Sequence, residues 1–141
     1  MKKELRIIGV SGGRDEEHGS LPRTVINAAM SDVRRITGFG FTHVLVGTYT
    51  GHLQNTDSIV ARWTLQQECN LIVEPAQWRR LNSNSAGYLR NQRMLDTWCT
   101  NLVGWLFFPG ASGTLDMLSR VKKAGIPYLE FDRERGWFRP L

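Results

Sequence analysis

The chain has 141 residues, the length of one ordinary domain, and we expect a single domain over residues 1–141. Hydrophobic residues make up 41% and charged residues 22%, a balance typical of soluble globular proteins. No apolar run approaches the ~20 residues that span a bilayer, so the composition argues against a membrane protein and for a cytoplasmic one. The formal net charge of +5 favours anionic partners such as nucleotides or nucleic acid, although scattered arginines also make an ordinary solvated surface.

Strand-like and helix-like segments alternate along the chain, a pattern typical of an α/β domain with a parallel sheet. Compact apolar runs predict strands at Leu5–Val10, His43–Gly47, Asn70–Glu74, Leu102–Phe108 and Tyr128–Phe131. Helical spacing of apolar residues predicts helices that are capped or opened at Ser20, Thr56, Ser85 or Ala86, and just before Leu115. We expect the basic and aromatic tail from Trp137 to Leu141 either to pack on a neighbouring molecule or to cover its own sheet.

The segment Phe108–Thr114 joins the fourth predicted strand to the last predicted helix and reads Phe-Pro-Gly-Ala-Ser-Gly-Thr. Its glycines allow the backbone to come close to a ligand. The unpaired N–H groups of the first helical turn would then point at that ligand, with the positive end of the helix dipole behind them. We therefore predict a binding site for an anion at this turn.

Three further strand-to-helix connections are rich in glycine or small polar residues. In open parallel sheets, ligands bind beyond the carboxyl ends of the strands, where the winding direction switches. This rule predicts that one edge of the sheet carries a crevice for a nucleotide or a sugar phosphate. The segments that would form the crevice are Ser11–Asp15, Gly47–Asp57, Pro75–Trp78 and Pro109–Thr114.

The first of these connections contains Gly12, Gly13, Arg14 and Asp15. Two glycines permit a tight turn with exposed amides. Arg14 can bind a phosphate or a carboxylate, and Asp15 can accept from a ribose hydroxyl or orient Arg14. The same residues also suit a simple surface turn with an ion pair. The spacing is not Gly-x-Gly-x-x-Gly, so the dinucleotide fingerprint is absent.

Arg90 and Asn91 lie side by side near the start of the third predicted helix. An arginine there opposes the helix dipole, and an asparagine inside a helix needs a hydrogen-bond partner. Two locally unfavourable residues together indicate a role beyond folding, unless Arg90 lies on the surface and Asn91 bonds to backbone. Asp57 and Asp116 need no such role, because an acid in the first turn complements the dipole. The three histidines lack metal-ligand spacing, so no metal site is predicted.

Five motifs follow one another in the chain: Gly12–Asp15; Gly47 and Gly51 with Asp57; Pro75–Trp78; Ala86 and Gly87 with Arg90, Asn91 and Met94; and Phe108–Gly110 with Gly113 and Thr114. In this order they resemble the SLOG superfamily, and most closely its YspA/YpsA-related branch of bacteria and phages. The resemblance covers about Ile7 to Phe131. It implies a three-layer Rossmann-like α/β domain with a mostly parallel sheet of about five strands.

The resemblance also implies a nucleotide-derived ligand, related to NAD or ADP-ribose, and no separate cofactor. The glycine loop after the first strand would line the pocket, Arg90 and Asn91 would contact sugar or phosphate, and the turn after the fourth strand would hold a phosphate. Many members of the superfamily self-associate, so the resemblance is compatible with a homodimer as well. The residues implied to bind the ligand are Gly12, Gly13, Arg14, Gly47, Gly51, Arg90, Asn91, Gly110, Ser112, Gly113 and Thr114.

Two departures from the family pattern bear on activity. The family usually has Gly-Gly-Ala-Arg-Gly-Ala-Asp after the second strand, but Val46–Gly51 lacks that arginine and extra residues precede Asp57. The related LOG phosphoribohydrolases carry a catalytic glutamate where Met117 stands here, and a thioether cannot transfer protons. Catalysis of that kind would then need a carboxylate from Asp15, Asp57 or Asp116.

Three functions are compatible with these features. The first is binding of a nucleotide-like ligand, either to sense it or to sequester it. The second is cleavage or transfer at the N-glycosidic bond of a nucleotide, with a carboxylate near the ribose and Arg90 steadying negative charge. The third is binding of single-stranded nucleic acid, because DprA is a SLOG relative and this chain is basic with aromatic residues in its tail.

Overall fold

The computed structural model describes residues 5–15, 17, 19–36, 40–49, 54–67, 69–75 and 85–138 of the chain. In these residues strands and helices alternate, as predicted. They are β1 (Ile7–Ser11), α1 (Arg23–Ile36), β2 (His43–Val46), α2 (Thr56–Leu65), β3 (Asn70–Val73), α3 (Ser85–Trp98), β4 (Leu102–Phe107), α4 (Ser112–Ala124), β5 (Tyr128–Asp132) and β6 (Trp137–Phe138). Within this part of the chain, none of the helices combines the length and the apolar character that crossing a bilayer requires.

The strands form one mostly parallel sheet in the order β3-β2-β1-β4-β5-β6. The first five strands pair in parallel, and β6 pairs antiparallel with β5. This order is that of doubly wound sheets, in which the chain builds outward in one direction from β1 and then in the other from β4. The prediction of a three-layer Rossmann-like α/β domain is confirmed. The winding direction switches between β1 and β4, so the loops after these two strands meet at the switch point.

Two hydrophobic cores lie on the two faces of the sheet, because successive side chains of a strand point to opposite sides. Ile8 of β1 packs with the apolar faces of α1 and α2, whereas Ile7 packs with those of α3 and α4. Gly9 pairs with Trp105 of β4, and a side chain at Gly9 would overlap the fully buried Trp105 ring. Met117 of α4 is also part of the second core, with 1% of its surface exposed.

The starts of two helices differ from the predictions. Asn55, not Thr56, caps α2, because the Asn55 Oδ1 accepts from the Ser58 N–H at 2.7 Å. The α1 helix begins after Pro22, whose carbonyl accepts the first helical N–H bonds, and the Ser20 hydroxyl turns to a neighbouring carbonyl instead. Both predicted caps, Ser20 and Thr56, were wrong. In each case another residue within two positions could also begin the helix, and the local sequence does not distinguish such neighbours well.

The tail contains a sixth strand that the sequence did not predict. After a turn in which Gly136 has φ 73°, Trp137 and Phe138 form β6 alongside β5. Phe138 is buried, and its ring lies 5.0 Å from that of Phe108 and 5.6 Å from that of Phe131 between centroids. This part of the tail therefore covers its own sheet, while residues 139–141 lie outside the described part of the chain.

Candidate functional site

A cavity of about 660 Å³ opens at the switch point of the sheet. Its volume falls within the range of roughly 300 to 1,000 Å³ that small-molecule sites occupy. The lining comes from the loops after β1, β2 and β4 and from the first turns of α2, α3 and α4. The lining residues are Ser11, Gly12, Gly13, Arg14, Thr48, Asn55, Asp57, Gly87, Tyr88, Arg90, Asn91, Ala111, Ser112, Gly113 and Thr114.

Backbone hydrogen bonds hold the loops around the cavity together. The Gly13 N–H donates to the Pro109 carbonyl at 2.8 Å, and the Gly13 carbonyl accepts from the Thr56 N–H at 2.9 Å. Gly13, in the loop after β1, is thus bonded both to the loop after β4 and to the first turn of α2. The convergence of these loops follows the prediction, but the expectation of an exposed Gly13 amide was wrong, because that N–H is used within the protein.

Two glycines of these loops are required by close packing. A Cβ atom on Gly12 would lie 2.6 Å from the Thr56 side chain, and one on Gly110 would overlap the Thr114 hydroxyl. Gly110 is not part of the lining, so its effect on the cavity is indirect. A Cβ atom on Gly113, in contrast, would meet nothing within 4 Å, because this residue faces open space.

The N-terminus of α4 opens into the cavity without a side-chain cap. The N-cap residue is Ala111, whose methyl group cannot accept a hydrogen bond, and the Leu115 N–H bonds back to the Ala111 carbonyl at 3.0 Å. The first-turn residues Ser112, Gly113 and Thr114 precede that bond, and all three line the cavity. Their N–H groups have no intrahelical acceptor, so positive partial charge accumulates at this end of the cavity.

Asn91 fixes the position of this helix end. The side chain is buried, and its Nδ2 donates to the Gly113 carbonyl at 3.2 Å and to the Asp116 carboxylate at 3.0 Å. Asp116 also accepts from the Arg120 Nε at 2.8 Å, and the Arg120 Nη1 donates to Gln92 at 2.8 Å. The asparagine predicted to need a partner therefore donates to two groups of α4. Asp116 is engaged in this network and is not part of the cavity lining.

Arg90 joins the carboxyl ends of two strands to α3. Its Nη1 donates to the Gly47 carbonyl at 2.9 Å and the Glu74 carbonyl at 3.4 Å, and its Nε donates to the Asn91 Oδ1 at 3.1 Å. A Cβ atom on Gly47 would overlap the guanidinium, so Gly47 must be glycine to leave room for it. Arg90 still forms part of the cavity wall, while most of its hydrogen-bonding capacity is used to hold the loops.

Asp57 places a carboxyl group in the cavity wall. The carboxyl accepts from the Gly47 N–H, and its Oδ1 is shielded from solvent with no hydrogen-bond partner among the described residues. Burial raises the pKa of Asp57 from 3.8 to about 6, an effect that the Arg90 charge and the Gly47 hydrogen bond partly offset. Asp57 can therefore exchange a proton close to neutral pH.

We expect Asp57 to make stability depend on pH. Because its folded-state pKa lies above its unfolded value, the native state binds the proton more tightly, and this contribution is complete below pH 3.8 and lost as the pH rises through about 6. A shift of this size corresponds to roughly 3 kcal/mol. In urea titrations the unfolding free energy of Asp57→Asn relative to wild type should rise by up to that amount between about pH 4 and about pH 7. A difference that stays constant over this range would contradict the assignment.

Most of the predicted ligand-binding residues line the cavity, but some candidates do not. Asp15 is outside the lining, and its carboxylate lies 3.9 Å from the Arg14 Nε, with 75% of the Arg14 side chain exposed. Gly47, Gly110 and Asp116 are also outside the lining, and each contacts a residue that is part of it: Arg90, Thr114 and Asn91, respectively. Gly51 lies outside the described residues. Of the three carboxylates considered for catalysis, Asp57 alone is in the described lining.

Several lining residues were not among the individual residues predicted to bind the ligand, including Asn55, Gly87 and Tyr88, although Asn55 lies in the predicted crevice segment Gly47–Asp57. The first turn of α3 carries both Gly87 and Tyr88, two residues before Arg90. The rule that ligands bind beyond the strand ends applies equally to the helix starts that follow, and it would have indicated this turn. Asn55 was detectable as a helix cap, because the asparagine side chain is a strong capping group.

Comparison of the chain with protein-family models and with curated proteins found no match. The resemblance to the SLOG superfamily therefore stays a prediction from the motifs. The class that the fold defines is a Rossmann-like α/β domain, and its cavity lies at the switch point of the sheet with an uncapped helix N-terminus in its wall.

Proposed function

We propose that the protein binds a nucleoside phosphate or a larger relative such as ADP-ribose, with a phosphate at the N-terminus of α4. The observation that carries this proposal is the uncapped first turn of α4, which faces a cavity of about 660 Å³ at the switch point of the sheet. A helix N-terminus of this kind favours anions through its free N–H groups and its dipole. The volume accommodates considerably more than a phosphate ion, so the remaining lining is available to a sugar and a base.

The other lining residues suit the rest of such a ligand. Arg14 has a long, mostly exposed side chain at the cavity wall. Its guanidinium can pair with a second phosphate or a carboxylate. Thr48 and Asn55 supply hydroxyl and amide groups that can bond to sugar hydroxyls. The Asp57 carboxyl is a further acceptor when ionised and a donor when protonated. On this assignment Arg90 and Asn91 act mainly by holding the loops that bind the ligand.

Calorimetric titration and thermal denaturation test this proposal. We expect AMP, other nucleoside monophosphates or ADP-ribose to bind, and a ligand at 100 times its Kd to add about 2.7 kcal/mol to the unfolding free energy. Adenosine and ribose, which lack the phosphate, should bind at least tenfold more weakly. If none of the phosphate compounds binds, or if adenosine binds as tightly as AMP, the proposal is wrong.

Hydrolysis of the N-glycosidic bond is the second candidate, and the position of Asp57 favours it. In this reaction the C1′–N bond breaks, the oxygen of a water molecule joins C1′, and the departing base nitrogen receives a proton. A carboxyl whose pKa is raised to about 6 can exchange protons at neutral pH. Incubation with AMP should then release adenine and ribose 5-phosphate, and Asp57→Asn should abolish release while AMP still binds. If AMP binds and no adenine is released, hydrolysis is ruled out and ligand binding is the function that stands.

A further inference from the structure

One aromatic residue lines the cavity and has no role in the proposal for the phosphate. Tyr88, in the first turn of α3, lines the cavity and retains 36% of its surface exposed. The next residue, Leu89, is 55% exposed but is not part of the lining. Exposed large apolar side chains are common on protein surfaces, but one that faces a polar cavity contributes a flat apolar surface to whatever binds there.

The helical turn that carries Tyr88 is held at a fixed position relative to the N-terminus of α4. Tyr88 and Asn91 are three residues apart in one helix, so they are neighbours one turn apart, about 4.5 Å along the axis. Asn91 is bonded to the Gly113 carbonyl at 3.2 Å, and Arg90 holds the same turn to the Gly47 carbonyl at 2.9 Å. The proposed phosphate position and the ring thus belong to elements that are directly bonded to each other.

We propose that the Tyr88 ring is the stacking surface for the base of the ligand. The inference rests on the proposed function, and it assigns the residue by which the site would distinguish a nucleoside phosphate from a plain sugar phosphate. Every nucleobase has a π face, so any of the bases can stack on an aromatic side chain. A sugar phosphate has no planar group to place there, so the ring would add nothing to its affinity.

The test compares ligands with and without a base on a matched set of variants. Calorimetric titration measures Kd for the four ribonucleoside monophosphates and for ribose 5-phosphate, using wild type, Tyr88→Phe, Tyr88→Ala and Leu89→Ala. Circular dichroism and thermal melting confirm that each variant is folded. Because the Leu89 side chain adjoins Tyr88 on the same exposed turn but lies outside the cavity lining, Leu89→Ala controls for loss of apolar surface on α3.

We expect at least one nucleoside monophosphate to bind wild type about 5- to 150-fold more tightly than ribose 5-phosphate does. Tyr88→Ala should remove most of this advantage and leave the Kd of ribose 5-phosphate within about twofold. Tyr88→Phe and Leu89→Ala should retain the advantage.

Three results would overturn the inference. If ribose 5-phosphate binds wild type as tightly as every nucleotide does, the base is not recognised, although the phosphate site of the proposed function stands. If Tyr88→Ala weakens ribose 5-phosphate as much as the nucleotides, Tyr88 is structural. If wild type binds neither class of phosphate, the proposed function fails and the inference fails with it.

Discussion

Replacing Gly113 by aspartate should leave the protein at least as stable as wild type and abolish binding of phosphate-bearing ligands. A Cβ atom on Gly113 meets nothing within 4 Å, so the new side chain has room. The helix propensity of aspartate exceeds that of glycine by only a few tenths of a kcal/mol, and an acid in the first turn stabilises a helix by about 0.3 to 1 kcal/mol. Repulsion from Asp116, three residues on, offsets only a few tenths of this.

The same carboxylate would be part of the cavity lining, next to the N–H groups that we assign to the phosphate. Like charges brought together in an interface cost several kcal/mol, so the affinity for AMP should fall by at least about 100-fold. Gly113→Asn is the matched control, because asparagine has the same shape without the charge, and it should lose considerably less affinity. A Gly113→Asp variant that binds AMP within threefold of wild type would mean that the anion lies elsewhere.

Replacing Arg90 by methionine should lower the unfolding free energy more than any of the other substitutions that we propose. Methionine keeps an unbranched apolar stem but removes the donors that hold the Gly47 and Glu74 carbonyls. It also removes the positive charge that stabilises the ionised Asp57 carboxyl. A hydrogen bond to a charged group contributes about 1.5 to 3 kcal/mol, and we expect the loss of these bonds to lower the unfolding free energy by about 3 kcal/mol in urea denaturation near neutral pH.

The loss should be coupled to Asp57. In the Arg90→Met background the Asp57 carboxyl has lost its compensating charge, so Asp57→Asn should recover at least about 1 kcal/mol relative to the sum of the two single effects. Arg135→Met is the control for loss of a guanidinium, because Arg135 is two-thirds exposed in an ion pair with Asp132 and should change stability by less than about 1 kcal/mol. Additive effects of the Arg90 and Asp57 substitutions would show that the two groups do not interact.

The order of elements could be predicted from the sequence because local signals mark it. Short apolar runs separated by amphipathic segments indicate parallel strands with crossover helices, and the rule for strand ends then predicts four loops at one edge. Three of these loops contribute residues to the cavity, and residues 76–78 of the fourth lie outside the described part of the chain. The glycine-rich turn before α4 indicated an anion site for the same local reason. The β6 strand was missed because it has two residues, which is too short to show an alternating pattern.

The roles of the polar side chains depend on contacts between distant parts of the chain. Arg90 bonds to the carbonyl of Gly47, 43 residues earlier, and no local pattern connects the two. The candidate carboxylates looked alike in sequence, since Asp57 and Asp116 both suit the first turn of a helix. They differ in space because Arg120 and Asn91 engage Asp116, whereas the Asp57 carboxyl lines the cavity. Partner identity, rather than residue type, separates a structural acid from a candidate functional one.

Mapping of backbone amide resonances by ¹⁵N NMR during a titration with AMP tests the central proposal most directly, because it reads the N–H groups that are assigned to the phosphate. The largest shifts should fall on Ser112, Gly113 and Thr114 and should be absent when adenosine replaces AMP. Saturable shifts confined to other parts of the surface, with these three amides unmoved, would contradict a phosphate site at the start of α4.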